Sequence, residues 1–295
     1  MTAMTPPAEP AREPPRRPGA LGAGSAGRNL PVAIVTGVVA AGAFLVTLAV
    51  HPLVFLGFLA VLAAVALLEL DIAFRGVGLR PATPVAAASG MIALLGVHAG
   101  GAGAQGVALT ALLLGTAVWT LALPGDGGPP ARPLASAGAT VLMALWVPFA
   151  LSFAGLLLAR PQGTYLVMAT VALTATNDIG AYAFGVRLGR RRLAPSVSPA
   201  KTWEGFVGGL ATTLVVALLV TARLAEVSVG TALALAAGVA VAGTVGDLAE
   251  SLVKRDLGVK DLGKVMPGHG GVMDRGDAII FSLPVAHLLL SALGA

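Results

Sequence analysis

Cysteine is absent from all 295 residues, so disulfides, thiolate metal sites and cysteine nucleophiles are excluded at the outset. Histidine is scarce. The four present, His51, His98, His269 and His287, are too scattered to suggest an all-histidine metal site. Charge is thin as well: 11% of residues are Asp, Glu, Lys or Arg, against about 25% in soluble domains. A chain that is 56% hydrophobic, with a mean hydropathy of +0.88, has too little polar surface to face water on every side. It reads as an all-α polytopic membrane protein. The net charge of +5 and isoelectric point near 10.2 would suggest a nucleic-acid partner for a soluble protein; in an apolar chain the placement of Lys and Arg carries more information. Familiar nucleotide loops are also missing. Gly263-Lys264 is followed by Val265 where a P-loop needs Ser or Thr, and neither a Rossmann nor a Ser-His-Asp pattern is found.

A helix needs about 20 apolar residues to cross the bilayer core. That rule predicts nine spans, at 30–50, 53–70, 84–103, 105–123, 134–158, 164–186, 206–222, 228–245 and 278–293. Residues 1–29, rich in proline, glycine and arginine, read as a disordered cytoplasmic tail and not as a signal peptide. The chain then divides into an N-terminal transmembrane region, 30–160, of about five spans, and a C-terminal region, 161–295, of about four. With the tail inside the cell, 17 of the 19 Lys and Arg residues fall on the cytoplasmic side, leaving Arg160 and Arg223 outside. This is the positive-inside bias. It predicts a multi-pass protein of the inner (plasma) membrane with its C-terminus on the outer face.

Against this apolar background one stretch stands apart, Gly246 to Asp277. It holds 11 of the 33 charged residues: acidic Asp247, Glu250, Asp256, Asp261, Asp274 and Asp277, and basic Lys254, Arg255, Lys260, Lys264 and Arg275. Asp247, Glu250, Ser251 and Lys254 follow helical spacing and line one face where the eighth span leaves the bilayer. Gly258 is a candidate stop. The run Pro267-Gly268-His269-Gly270-Gly271 makes a tight turn whose amides can cup an anion. Asp274 and Asp277 then stand at the mouth of the last span, spaced like an N-cap and N3 pair.

Two further places hold polar residues in need of a reason. Asn177 and Asp178 lie inside the sixth predicted span, and an ionisable group at membrane depth is a functional candidate. Gly180, Gly185 and Gly189 beyond them allow close backbone approach. The loop from Arg187 to Glu204 carries four arginines and Lys201, which suits an anionic membrane surface. Within it, Ser198 with Pro199 predicts a helix N-cap and N1, Trp203 an interfacial anchor, and Lys201 a phosphate contact. Carboxylates converging with Lys, Arg and a Gly-rich turn are what phosphoryl chemistry requires. Carboxylate oxygens hold Mg²⁺, the metal screens polyphosphate charge, and basic groups stabilise the phosphoryl oxygens.

The ordered run Ser251-Leu-Val-Lys254-Arg255, Lys260-Asp261 and Pro267-Gly-His269-Gly-Gly271-Val-Met-Asp274-Arg275-Gly-Asp277 resembles the signature of the phosphatidate cytidylyltransferase (CDP-diacylglycerol synthase) family. Asn177–Gly189, Ser198–Gly205 and the nine-span layout are similar to that family too. Departures are Gly276 where an aliphatic residue is common, Ala278 where Ser is common, and Ala200 where a second Lys is common. The resemblance implies CTP and phosphatidic acid as substrates, with CDP-diacylglycerol and pyrophosphate as products, at a bilayer surface, without nucleic acid and compatible with a homodimer. It implies Mg²⁺ held by Asp247, Asp274 and Asp277, with room for a second metal or a monovalent cation. Lys254, Arg255, Lys260 and Arg275 would neutralise phosphates, while Gly268, His269, Gly270 and Gly271 would seat the triphosphate. Asp178 and Asp261 would orient substrate or metal, and Ser198, Lys201 and Ser251 would bind substrate. A CTP-dependent lipid-alcohol kinase and a membrane transporter are the alternatives. The kinase would release CDP in place of pyrophosphate, and a transporter would place its charges nearer the bilayer midplane.

Overall fold

The apolar segments form nine helices in the computed structural model, which describes residues 30–122, 132–221, 227–263, 265 and 270–294. The expected tail, Lys264, Gly268 and His269 lie outside these residues. The helices are α1 Leu30–Val50, α2 Pro52–Gly76, α3 Thr83–Gly100, α4 Ala102–Ala122, α5 Pro133–Leu158, α6 Gly163–Leu188, α7 Trp203–Val216, α8 Val229–Asp256 and α9 Met273–Ala292. Six of them, α2, α3, α4, α5, α8 and α9, are long and apolar enough to cross a membrane. The apolar stretches of α1 and α7 are shorter, and α6 is 26 residues long but interrupted by Asn177, Asp178 and Arg187. This is a polytopic membrane protein. Side chains such as Val38, Ile72, Leu113, Val118 and Leu219 point outward, as lipid contact demands.

Each predicted span has a matching helix, and the charged island differs most. α8 continues to Asp256, well past the apolar stretch, and α9 begins at Met273, so much of the island is helix. Pro148 cannot donate to the ladder and leaves a wider-turn segment, Leu145–Phe149, within α5. Gly90 of α3 has no side chain to meet the Pro148 ring seated against it.

The all-α expectation holds, and the one element besides helices among the described residues corrects the helix start expected at Ser198-Pro199. An antiparallel hairpin, β1 Arg192–Ala194 with β2 Ser198–Thr202, pairs Arg192 with Thr202 and Ala194 with Ser198. Ser198 is therefore not a helix N-cap, nor is Pro199 the first helical residue. Thr202 takes the cap, its hydroxyl accepting the Gly205 N–H at 3.1 Å. A two-stranded ribbon has open edges, where proline is tolerated. The Glu204 carboxylate fixes the hairpin's base by accepting the N–H groups of Arg190 and Arg191 at 3.0 and 3.1 Å.

Two close helix pairs bring the polar segments together. α6 packs along α7 and α8 along α9, the most extensive helix contacts in the fold. A Cβ at Gly209 of α7 would lie 2.7 Å from the Asn177 carbonyl oxygen, and one at Gly246 of α8 would lie 2.6 Å from that of Asp277. Small residues at these crossings let backbones approach where larger ones would hold them apart.

Candidate active site

The predicted face of α8 exists, and it is the scaffold of the site. Lys254 reaches across from it, its Nζ 2.8 Å from Glu250 Oε2 and 2.9 Å from Asp274 Oδ1 of α9. Lys201 of β2 extends to Asp247 Oδ2 at 2.7 Å, and Ser251 donates a long hydrogen bond of 3.4 Å to Asp247 Oδ1. Gly258, at φ +69°, lets the chain turn away after α8, as expected of a helix stop. The turn is closed by the Val259 N–H on the Lys254 carbonyl.

Asp274 folds the connector between α8 and α9. Its Oδ1 accepts the Leu262 N–H at 3.3 Å in addition to Lys254, and its Oδ2 accepts the Gly271 N–H at 2.9 Å. The N-cap and N3 assignment of Asp274 and Asp277 is thereby corrected. Asp274 lies inside the first turn, and Val272, with no side-chain acceptor, occupies the cap position. The cap comes from another part of the chain. Glu69 of α2, buried at 3% exposure, accepts the Val272 N–H at 3.1 Å and the Met273 N–H at 3.0 Å.

Asp178 of α6 completes the group. It is within electrostatic reach of Asp247, Asp277 and Lys201. Asp277 in turn lies beside Glu250, whose Oε1 is buried with no hydrogen-bond partner among the described residues. Asp178, Asp247, Glu250, Asp274 and Asp277 thus gather around Lys201 and Lys254, five carboxyl groups to two ammonium groups. Among the described residues, no three carboxylate or imidazole groups are already arranged as metal ligands. Lysines stand between the acids instead.

The remaining candidates are placed differently. Arg255 is exposed and its Nε donates to the Val197 carbonyl of the hairpin at 3.4 Å. Lys260 and Asp261 are exposed on the connector, and Arg275 is exposed on the first turn of α9. Ser198 is half-buried in β2, and Gly270, at φ +86°, directs the connector back toward Asp274. Sequence reasoning did not single out Glu69 or give Glu250 a role of its own. Glu69 carried a usable signal, since an ionisable residue in an apolar span invites the same question as Asp178.

Helices, hairpin and buried charges together describe a polytopic membrane protein whose polar centre joins carboxylates and lysines at helix ends. The chain belongs to the Cytidylyltransferase family, whose sequence pattern matches residues 31–293. It is 35% identical over 280 residues to the phosphatidate cytidylyltransferase of Mycobacterium leprae (strain TN), covering 91% of this chain and 89% of that one. It is 33% identical over 294 residues to the enzyme of that name from Mycobacterium tuberculosis (strain H37Rv), covering 97% and 89%. The phosphatidate cytidylyltransferase of Staphylococcus aureus (strain COL) is 39% identical over 132 residues, covering 44% of this chain and 51% of its own.

Proposed function

We propose that the protein transfers CMP from CTP to phosphatidic acid, giving CDP-diacylglycerol and pyrophosphate for phospholipid synthesis. The carrying observation is the near full-length match to phosphatidate cytidylyltransferases, joined to the interlocked Lys201–Asp247 and Glu250–Lys254–Asp274 contacts. A phosphate oxygen of phosphatidate forms the new bond to the α-phosphorus of CTP. The bond from that phosphorus to the bridging oxygen breaks, and its electron pair leaves with pyrophosphate. The attacking phosphate is already anionic at neutral pH, so no side chain is required to take a proton from it. Lys201 and Lys254, with Arg255, Lys260 and Arg275 at the rim, draw the phosphates in. The connector ending at Gly270 and Gly271 seats the triphosphate, and Asp178, Ser198, Ser251 and Asp261 orient the substrates.

Five carboxyl groups against two lysines leave too little positive charge to receive two polyanionic substrates, unless a cation is held there as well. The residues fit Mg²⁺: hard carboxylate oxygens dominate, and Glu250 Oε1 lacks any donor. Asp247 and Asp277 would hold the ion beside Glu250. Three of the roughly four acceptor directions of the Asp274 carboxylate are taken, so it would add at most one bond to the metal while organising the turn. When bound, Mg²⁺ screens phosphate charge and supports the departing pyrophosphate. The excess of Lys and Arg on one side of the predicted topology supports a site at the cytoplasmic interface, where soluble CTP and a lipid phosphate can meet.

Purified protein with labelled CTP, phosphatidic acid and Mg²⁺ should form CDP-diacylglycerol and release one pyrophosphate per product, and chelation should stop both. Transfer of phosphate to a lipid alcohol with CDP release, or no turnover of either kind, would overturn the reading.

A further inference from the structure

Glu69 is 203 residues from Val272 and 204 from Met273, yet its two carboxylate oxygens take the first N–H groups of α9, one each. The first N–H groups of a helix have no partner inside it, and Val272 supplies no side-chain cap. Both ends of the connector, at Gly263 and Gly271, lie against this carboxylate. The three nearest atoms to a Cβ at Gly263 would all belong to Glu69, and that Cβ would overlap them; a Cβ at Gly271 would lie 2.6 Å from Glu69 Oε2 and 2.9 Å from Asp274 Oδ2. Two carboxylates thereby hold four amides. Asp274 takes those of Leu262 and Gly271, and Glu69 takes those of Val272 and Met273. The Lys254–Asp274 contact and the place of Asp277 beside Glu250 both depend on the turn of α9 that Glu69 fastens.

We propose that Glu69 is a positioning residue for cytidylyl transfer: from the N-terminal half of the fold, it fixes the first turn of α9 and the return of the connector, and so sets where Asp274 and Asp277 stand. This rests on the cytidylyltransferase reading above. Glu69 itself touches no reacting atom. Its loss lowers the rate of the bound complex and leaves the attraction of CTP to the basic rim largely in place. A displacement of a reacting geometry by about 1 Å costs on the order of 100-fold in rate.

The test is steady-state kinetics on purified full-length Glu69→Gln, Glu69→Ala, Gly263→Ala and the Glu69→Ala/Gly263→Ala double variant, with wild type alongside and folded protein measured by monodisperse elution. Glu69→Gln, nearly isosteric, presents an NH₂ to one of the two amides. Its kcat should fall about 10-fold or more, while KM for CTP stays within about 3-fold. Gly263→Ala should also lower kcat, but not when added to Glu69→Ala, because the side chain it collides with has gone. This non-additivity is specific to groups in contact. Should Glu69→Ala fail to fold, the kinetics of Glu69→Gln decide alone. A Glu69→Gln enzyme with wild-type kcat per folded molecule refutes the proposal, as does a rate loss that only tracks lost folded protein. Full multiplication of the Glu69→Ala and Gly263→Ala effects refutes it too. Failure of wild type itself to form CDP-diacylglycerol would overturn the activity reading, a separate result from wild-type behaviour of the Glu69 variants.

Discussion

Replacing Lys254 by Met tests the charge arrangement at its most exposed assumption. Lys254 donates to Glu250 Oε2 at 2.8 Å, and the Glu250 side chain is 1% exposed, its other oxygen having no hydrogen-bond partner among the described residues. Asp274 loses less, since it keeps the Leu262 and Gly271 amides. Methionine preserves the unbranched stem, so packing changes little and the effect falls on charge. Removing one member of a buried pair costs about 3–5 kcal/mol, because the other charge is left uncompensated. Lys254 retains 16% exposure, which places the expected loss near the lower end, about 3 kcal/mol. Adding Glu250→Gln removes the stranded charge and should return about half or more of that loss, within the 0.5–3 kcal/mol couplings seen between contacting residues. Turnover should remain low in both proteins, because the proposed mechanism also sets Lys254 against phosphate. Denaturant unfolding of the wild type, both single variants and the double variant in one detergent supplies the cycle. A Lys254→Met protein within about 0.5 kcal/mol of wild type, or a double variant no more stable than Lys254→Met, would refute the reasoning.

Asp274→Asn keeps the shape of the side chain but places an NH₂ where either Lys254 or an amide now donates; turnover should drop about 100-fold or more, and near-normal product formation would remove Asp274 from the site. Gly209→Ala would drive a Cβ to 2.7 Å from the Asn177 carbonyl oxygen and 2.8 Å from its Oδ1, so unfolding measurements should show a loss of about 1–3 kcal/mol. An unchanged stability would mean that α6 and α7 can separate freely. The absence of cysteine gives a clean background for topology. A cysteine at exposed Ala200 should react with an impermeant maleimide only from the cytoplasmic side, and one at exposed Ala159 only from the other; labelling of both from one side contradicts the orientation.

The hydrophobic segments and the charged island are legible in the sequence, because both are local sums over neighbouring residues. The α8 face of Asp247, Glu250, Ser251 and Lys254 followed from helical spacing alone, and the stop at Gly258 from glycine's access to positive φ. Span boundaries near the island were less legible. Hydropathy ends where polar residues begin, whereas α8 and α9 carry those residues onward as helix. Ser198-Pro199 misled for a related reason. The same dipeptide suits a helix start or the edge of a ribbon, and pairing with Arg192–Ala194 decides between them.

Composition and hydropathy thus determined a multi-spanning helical protein, and a contiguous motif determined its family, since each is written in residues close along the chain. Tertiary structure alone decided which charges meet. Lys201 selects Asp247 across 46 residues, Lys254 joins Glu250 to Asp274, and Glu69 fastens a helix more than 200 residues away. Periodicity gives the face on which a side chain lies. The partner waiting there is set by how close the neighbouring helices can pack, and in this protein by the glycines at 209, 246, 263 and 271 that let them do so.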